Sequence, residues 1–173
     1  IAIMEGGRVV QVGTPEEILQ YPADDYVRAF FRGVDPTNVI SAGEIVNTGY
    51  PTIIKKKKGG IRATLELLNS KDYNHCYVLN SKHEFLGVVS VDSLSEAVEK
   101  GISNDSIDAC YLDGVKPAFE EDNMQDILPE VASRSWPVPV VSSDNVYKGV
   151  VSKNRFLRTL HKSDQNGHQS ECV

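Results

Sequence analysis

The residues able to do chemistry in this chain are few and scattered. Cys76, Cys110 and Cys172 lie far apart and lack the Cys-x-x-Cys spacing of a zinc or redox site. Cys76 and Cys110 sit among apolar neighbours and read as small core residues of a protein from a reducing compartment. His75, His83, His161 and His168 show no metal-ligand spacing and no nearby acid pattern, so they read as surface or turn histidines. No Gly-x-x-x-x-Gly-Lys-Ser/Thr phosphate loop occurs. ATP hydrolysis needs that loop's backbone donors and lysine, so these residues are not expected to be catalytic, and no nucleophile–base pair suggests another reaction. Two polar groupings remain. The run Lys55, Lys56, Lys57 and Lys58 is either a solvated loop or a salt-screened contact with an anionic membrane face. Ser90 and Ser152 each close a Gly-Val-Val-Ser phrase and are placed to cap the helix that follows.

Positioning these groups falls to elements that the pattern of the chain outlines. The apolar runs Ile1–Met4 and Arg8–Gly13 flank Glu5-Gly6-Gly7, a hairpin signal. Thr14-Pro15-Glu16-Glu17 writes a capping box with proline at the first helical position. Asp24 or Asp25 can cap a second helix, in which Tyr26 and Phe30, with Val27 or Phe31, form an apolar stripe. So small a piece cannot bury that stripe alone. The chain also opens without a methionine in a strand-like run, so it reads as the back part of a longer protein whose missing front would cover it.

From Val39 the text changes. Ser41-Ala42-Gly43-Glu44 is a further capping box, followed by a short strand at Thr52-Ile53-Ile54 and a helix carrying Leu65, Leu67 and Leu68. Strand CYVL, a turn, strand FLGVVS and helix SLSEAVEK come next. A second run repeats the order: short strand at Lys116-Pro117-Ala118-Phe119, helix after Asp122 with Gln125 at the capping-box position, strand VPVV, strand YKGVVS and a final helix. Pro129 lies inside the first of these helices and is expected to shorten or kink it. The copies match without gaps: Val78 and Val140, Gly87 and Gly149, Ser90 and Ser152 all lie 62 positions apart. Half-modules of about sixty residues are marginal alone, so the two should share a core. Trp136 reads as a rim or interface aromatic, and residues 163–173 as a disordered tail.

At 40% apolar and 24% charged residues this is the composition of a globular protein, and a net charge of −6 gives no reason to expect nucleic-acid binding. No apolar run approaches the roughly 20 residues of a membrane-spanning helix.

The doubled phrase, Val78-Leu79 with Gly87-Val88-Val89-Ser90 and Val138-Pro139-Val140-Val141 with Gly149-Val150-Val151-Ser152, resembles the cystathionine-beta-synthase (CBS) domain family. That resemblance implies an α+β fold, a tandem pair of pseudo-twofold-related β-α-β-β-α units over residues 39–102 and 103–162. It further implies dimerisation through the pair and a cleft for an adenine nucleotide. Cleft candidates on this reading are Thr52, Ile53, Cys76, Ser90, Ser93, Pro137, Val138, Ser152 and Arg155. The family's ribose-binding aspartate is replaced here by Ser93 and Arg155. A serine can accept from a ribose hydroxyl without charge, and Arg155 could meet a phosphate.

The opening EGGRVVQVGTPEEILQYPADDYV, continuing into FFRGVDPTNV, resembles the end of an ABC-transporter ATP-binding domain of the glycine betaine/proline importer type. This places 1–33 as the last part of that domain and implies a regulatory role in osmoprotectant uptake, answering to ionic strength or a nucleotide. A permease partner, ATP and magnesium in the longer parent, and a position at the inner face of the cell membrane come with it. The competing readings are a purely structural dimerisation module and an adenine-nucleotide or cyclic-dinucleotide sensor.

Overall fold

The computed structural model describes residues 1–31, 33–55 and 60–168, except the side chains of Glu16 and 162–168. The opening segment is a hairpin, β1 (Ala2–Glu5) and β2 (Arg8–Val12), followed by helices α1 (Pro15–Gln20) and α2 (Asp25–Phe30). Gly6 and Gly7 turn the hairpin at positive φ. Both arms of the Thr14–Glu17 capping box are made, and Asp24 caps α2. Ile3, Ile18 and Val27 form a small core with Val10 and Phe31 against it. The expected stripe on α2 is therefore split. Val27 and Phe31 face this core, whereas Tyr26 is 37% and Phe30 62% exposed, because a six-residue helix packs along one narrow side only.

The remainder is two copies of one unit. The first comprises β3 (Thr52–Ile54), α3 (Ile61–Lys71), β4 (His75–Leu79), β5 (Phe85–Ser90) and α4 (Val91–Glu99). The second comprises β6 (Ala118–Phe119), α5 (Met124–Ser133), β7 (Val138–Val141), β8 (Tyr147–Val151) and α6 (Lys153–His168). Each builds a three-stranded sheet with one parallel and one antiparallel pairing, in orders β3-β4-β5 and β6-β7-β8.

Strand alternation sorts the side chains. Cys76, Val78 and Val89 face their own helices in the first unit, as Val138, Val140 and Val151 do in the second. Tyr77, Leu79, Phe85, Val88, Val141 and Val150 form the layer between the sheets, joined by Trp136. The sequence expectation for Trp136 holds at the interface.

A pseudo-twofold relates the units down to single hydrogen bonds. The Phe85 N–H donates to the Asn145 carbonyl and the Tyr147 N–H to the His83 carbonyl, both at 2.9 Å, with φ of 62° at both His83 and Asn145. Each unit's leading segment also crosses to the other. The Asn47 N–H donates to Val150 and the Leu112 N–H to Val88, both at 2.8 Å. Ile40, Ala42 and Ile45 thereby enter the core of the second unit, and Ile107 and Cys110 that of the first.

Three local expectations need correction. The Ser41–Glu44 capping interaction forms from one side, with the Ser41 N–H donating to Glu44 Oε2 at 2.7 Å, but it starts only a 3-10 turn, Gly43–Ile45. The N-cap of α5 is Asn123, not Asp122, because Asp122 Oδ2 is taken by the Phe119 N–H at 2.8 Å. Pro129 does not shorten α5, which runs on to Ser133 with Ile127 and Val131 buried. Further on, α6 reaches His168, inside the segment expected to be disordered. No proline or glycine interrupts its ladder before Gly167.

Candidate functional site

The strands place the sequence-derived candidates on different faces. Cys76 and Val138 are sealed among the helix-side residues, at 0% and 1% exposure, so neither side chain meets a ligand between the sheets. Burial holds the Cys76 thiol up at about 12, the state of an inert core thiol. Thr52 is exposed on the edge strand, while Ile53 packs on the first-unit core and lines a 440 Å³ cavity against α3.

Ser90 and Ser152 act as helix caps. Ser90 Oγ accepts from the Ser93 N–H, and Ser93 Oγ accepts from the Ser90 N–H while donating to the Ser90 carbonyl, all within 3.1 Å. The Ser90 N–H thus already occupies one lone pair of the uncharged Ser93 hydroxyl, which leaves it a weaker acceptor than a ribose-binding carboxylate. Ser152 accepts from the Arg155 N–H, and Arg155 Nε donates to the Ile45 carbonyl at 3.3 Å, fastening the crossed segment. Lys55 pairs with Asp108 at 3.2 Å, across to the second unit's leading segment. Hydrogen bonding at its own backbone and this lysine hold the Asp108 carboxyl below its ordinary range. Lys56, Lys57 and Lys58 lie outside the described residues.

Pro137 leads to the site that the sequence reading missed. It lines a 410 Å³ cavity with Tyr50, Asp72, Tyr73, Asn74 and His75. The crossed segment contributes Tyr50, the turn between α3 and β4 contributes Asp72, Tyr73 and Asn74, and β4 begins with His75; Asp72 is the left-handed C-cap of α3 at φ 55°. Tyr50 and Tyr73 meet at 6.3 Å between ring centres, and Tyr77 stands edge-on to Tyr50 at 6.5 Å. The Tyr77 hydroxyl donates to the Pro137 carbonyl at 2.6 Å, and its ring stacks on Tyr147 at 5.7 Å. His75 is half-buried, and desolvation lowers its pKa despite the opposing charge of Asp92. No group of three His, Cys, Asp or Glu side chains among the described residues could hold a metal ion. The one available signal was compositional: two tyrosines and a histidine beside turn residues at 49–51 and 72–75.

Comparison with solved structures settles the fold. A CBS-domain-pair/ACT-domain protein of Thermotoga maritima superposes with a TM-score of 0.58 at 24% identity, over 72% of this chain and 98% of that one. The chain has the fold of a tandem CBS-domain pair. Staphylococcus aureus OpuCA matches the CBS pair with a TM-score of 0.56 at 16% identity, over 67% of this chain and 96% of that one. CbpB, solved in complex with c-di-AMP, matches with 0.56 at 18%, over 73% and 83%.

In sequence the chain is 41% identical over 167 residues to the glycine betaine/proline betaine transport ATP-binding protein ProV of Escherichia coli. It is 28% identical over 166 residues to the glycine betaine/carnitine transport ATP-binding protein GbuA of Listeria monocytogenes. Each match covers 96% of this chain and 41% of the relative, so the chain spans about two fifths of the length of these proteins. No protein-family model matches it. The resemblance to betaine-importer ATP-binding subunits, drawn first from the opening segment and the doubled phrase, is borne out across both parts.

Proposed function

We propose that this chain is the regulatory portion of the ATP-binding subunit of an osmoprotectant importer, passing a cytosolic signal, ionic strength or a nucleotide, to ATP-driven uptake of glycine betaine or proline. The observation that carries the reading is the continuity of the 41% match through the opening segment and the CBS pair. The packing supports it: Leu19 of α1 lies against the second-unit core. A change in how the two CBS units sit would therefore be felt by the segment that resembles the end of an ATPase domain. On this reading the longer parent is a transport ATPase that uses ATP and magnesium. It works with a permease at the inner face of the membrane, and two subunits are tied together through their CBS pairs. A signal shifts the ATPases only by its differential affinity for the two arrangements.

Deleting residues 39–173 from the parent and measuring uptake against external osmolarity tests the proposal. Basal uptake retained with the osmotic response lost is the expected result. Collapse of subunit assembly would instead support a purely structural module. The c-di-AMP bound to CbpB favours a nucleotide as the signal. Calorimetric titration with AMP, ATP and c-di-AMP tests that form, and silence with all three removes it.

A further inference from the structure

The two units differ at one corner where their backbones correspond. In the second unit that corner is closed from within. Arg134, the C-cap of α5, lays its guanidinium 5.4 Å from the ring centre of Trp136 and donates to the Gly114 carbonyl at 2.5 Å. Trp136 is only 9% exposed. The internal cation thus caps an aromatic face. In the first unit the C-cap 62 positions earlier is Asp72, and the Gly49 carbonyl meets the Tyr73 hydroxyl at 3.4 Å. The counterpart of Trp136 is Asn74, and half-buried Tyr50 and Tyr73 supply the aromatic surface instead; a carboxylate stands where the other unit has its cation, and the corner opens into the 410 Å³ cavity. Among the described residues lining that cavity there is no lysine or arginine.

We propose that this corner binds a quaternary ammonium group from solution, which takes the place of the internal guanidinium of the second unit. Such a cation has no N–H to donate and is recognised by aromatic faces and nearby negative charge, the two features that converge here. A phosphate would find neither guanidinium nor ammonium among the described lining residues. The binding site stands on the corner's geometry. Its meaning, that the imported class of solute reports its own cytosolic level to the ATPase, rests on the importer reading.

The test uses the 173-residue chain with glycine betaine, tetramethylammonium and 3,3-dimethylbutanoate, the last of which keeps the shape of betaine without the positive nitrogen. Saturation-transfer NMR on the ligand methyl protons and calorimetry should show one saturable site per chain for the first two, in the millimolar range. The carbon isostere should bind at least about tenfold more weakly, a factor worth about 1.4 kcal/mol. Asp72→Asn keeps the residue type that tolerates the left-handed cap, so the fold survives, and it should weaken tetramethylammonium about fivefold. Tyr73→Leu, checked for an unchanged melting transition, should do the same. Equal binding of the isostere, unchanged affinity in Asp72→Asn, or no saturation up to about 50 mM overturns the proposal. Ammonium binding without any effect of the deletion on uptake would overturn the importer reading alone. The converse result would overturn only this site.

Discussion

Gly149 shows how tightly single residues are fixed by the crossing of the two units. Its φ is +146°, and a Cβ there would sit 2.7 Å from both the Asn47 carbonyl oxygen and Val46 Cγ2. Gly87, its partner by pseudosymmetry, lies under Tyr111, where a Cβ would come within 2.8 Å of the ring. Both glycines exist because the other unit's leading segment passes over them. Gly149→Ala combines backbone strain with a clash against main chain that cannot retreat, so it should cost about 3 kcal/mol or more. Gly87→Ala meets a ring that can tilt and should cost less, about 1–3 kcal/mol. Urea melts of the two variants check the order. Smaller strains are also visible at this scale: the Tyr111 and Tyr147 hydroxyls are buried without a hydrogen-bond partner among the described residues, and burial pushes both phenols up, Tyr111 to about 12.

Among the elements, α5 contradicts its own sequence most plainly. Pro129 takes a backbone donor out of the helix, yet Met124, Ile127 and Val131 continue one buried stripe through it to Ser133. Tertiary burial of those three side chains, roughly 1.5–3 kcal/mol each, outweighs the cost of a proline inside a helix, about 3 kcal/mol. Because Pro129 itself is exposed, Pro129→Ala should restore the missing bond without disturbing packing and raise stability by about 2–3 kcal/mol. A higher midpoint at unchanged m-value in urea would show it. The other helices followed their caps closely. Thr14, Asp24 and Ser90 each accept from the backbone N–H three residues on, at the positions the sequence indicated.

At the scale of the molecule the halves cannot be separated where the repeat divides. Ile40 and Ile45 are fully buried in the second unit, although they precede the first in sequence. Their burial is worth roughly 3–6 kcal/mol together, comparable with the whole stability of a small domain. Neither 48–102 nor 103–168 should therefore fold as an isolated fragment. The intact pair should melt in one cooperative step, with calorimetric and van't Hoff enthalpies in agreement. A stable, cooperatively unfolding 103–168 fragment would contradict this. Among the described residues no helix is long and apolar enough to cross a membrane.

What the sequence determined by itself was the repeat, its 62-residue offset and nearly every element. Local signals carry those: alternation in CYVL and VPVV, Gly-Val-Val-Ser twice, and caps written in adjacent residues. The same signals, with the opening segment, were enough to point to the family. The site was hardly legible. Cys76 and Val138 lie on conspicuous strands, yet they face inward to the helices, because which side of a sheet is covered depends on the partner unit and not on the strand. Tyr50, Asp72 and Tyr73 gain a common cavity only when the crossed segment brings position 50 against the turn at 72–75. That meeting joins backbone far apart along the chain through packing of the second unit, and no local pattern encodes it. The tertiary structure alone decided it.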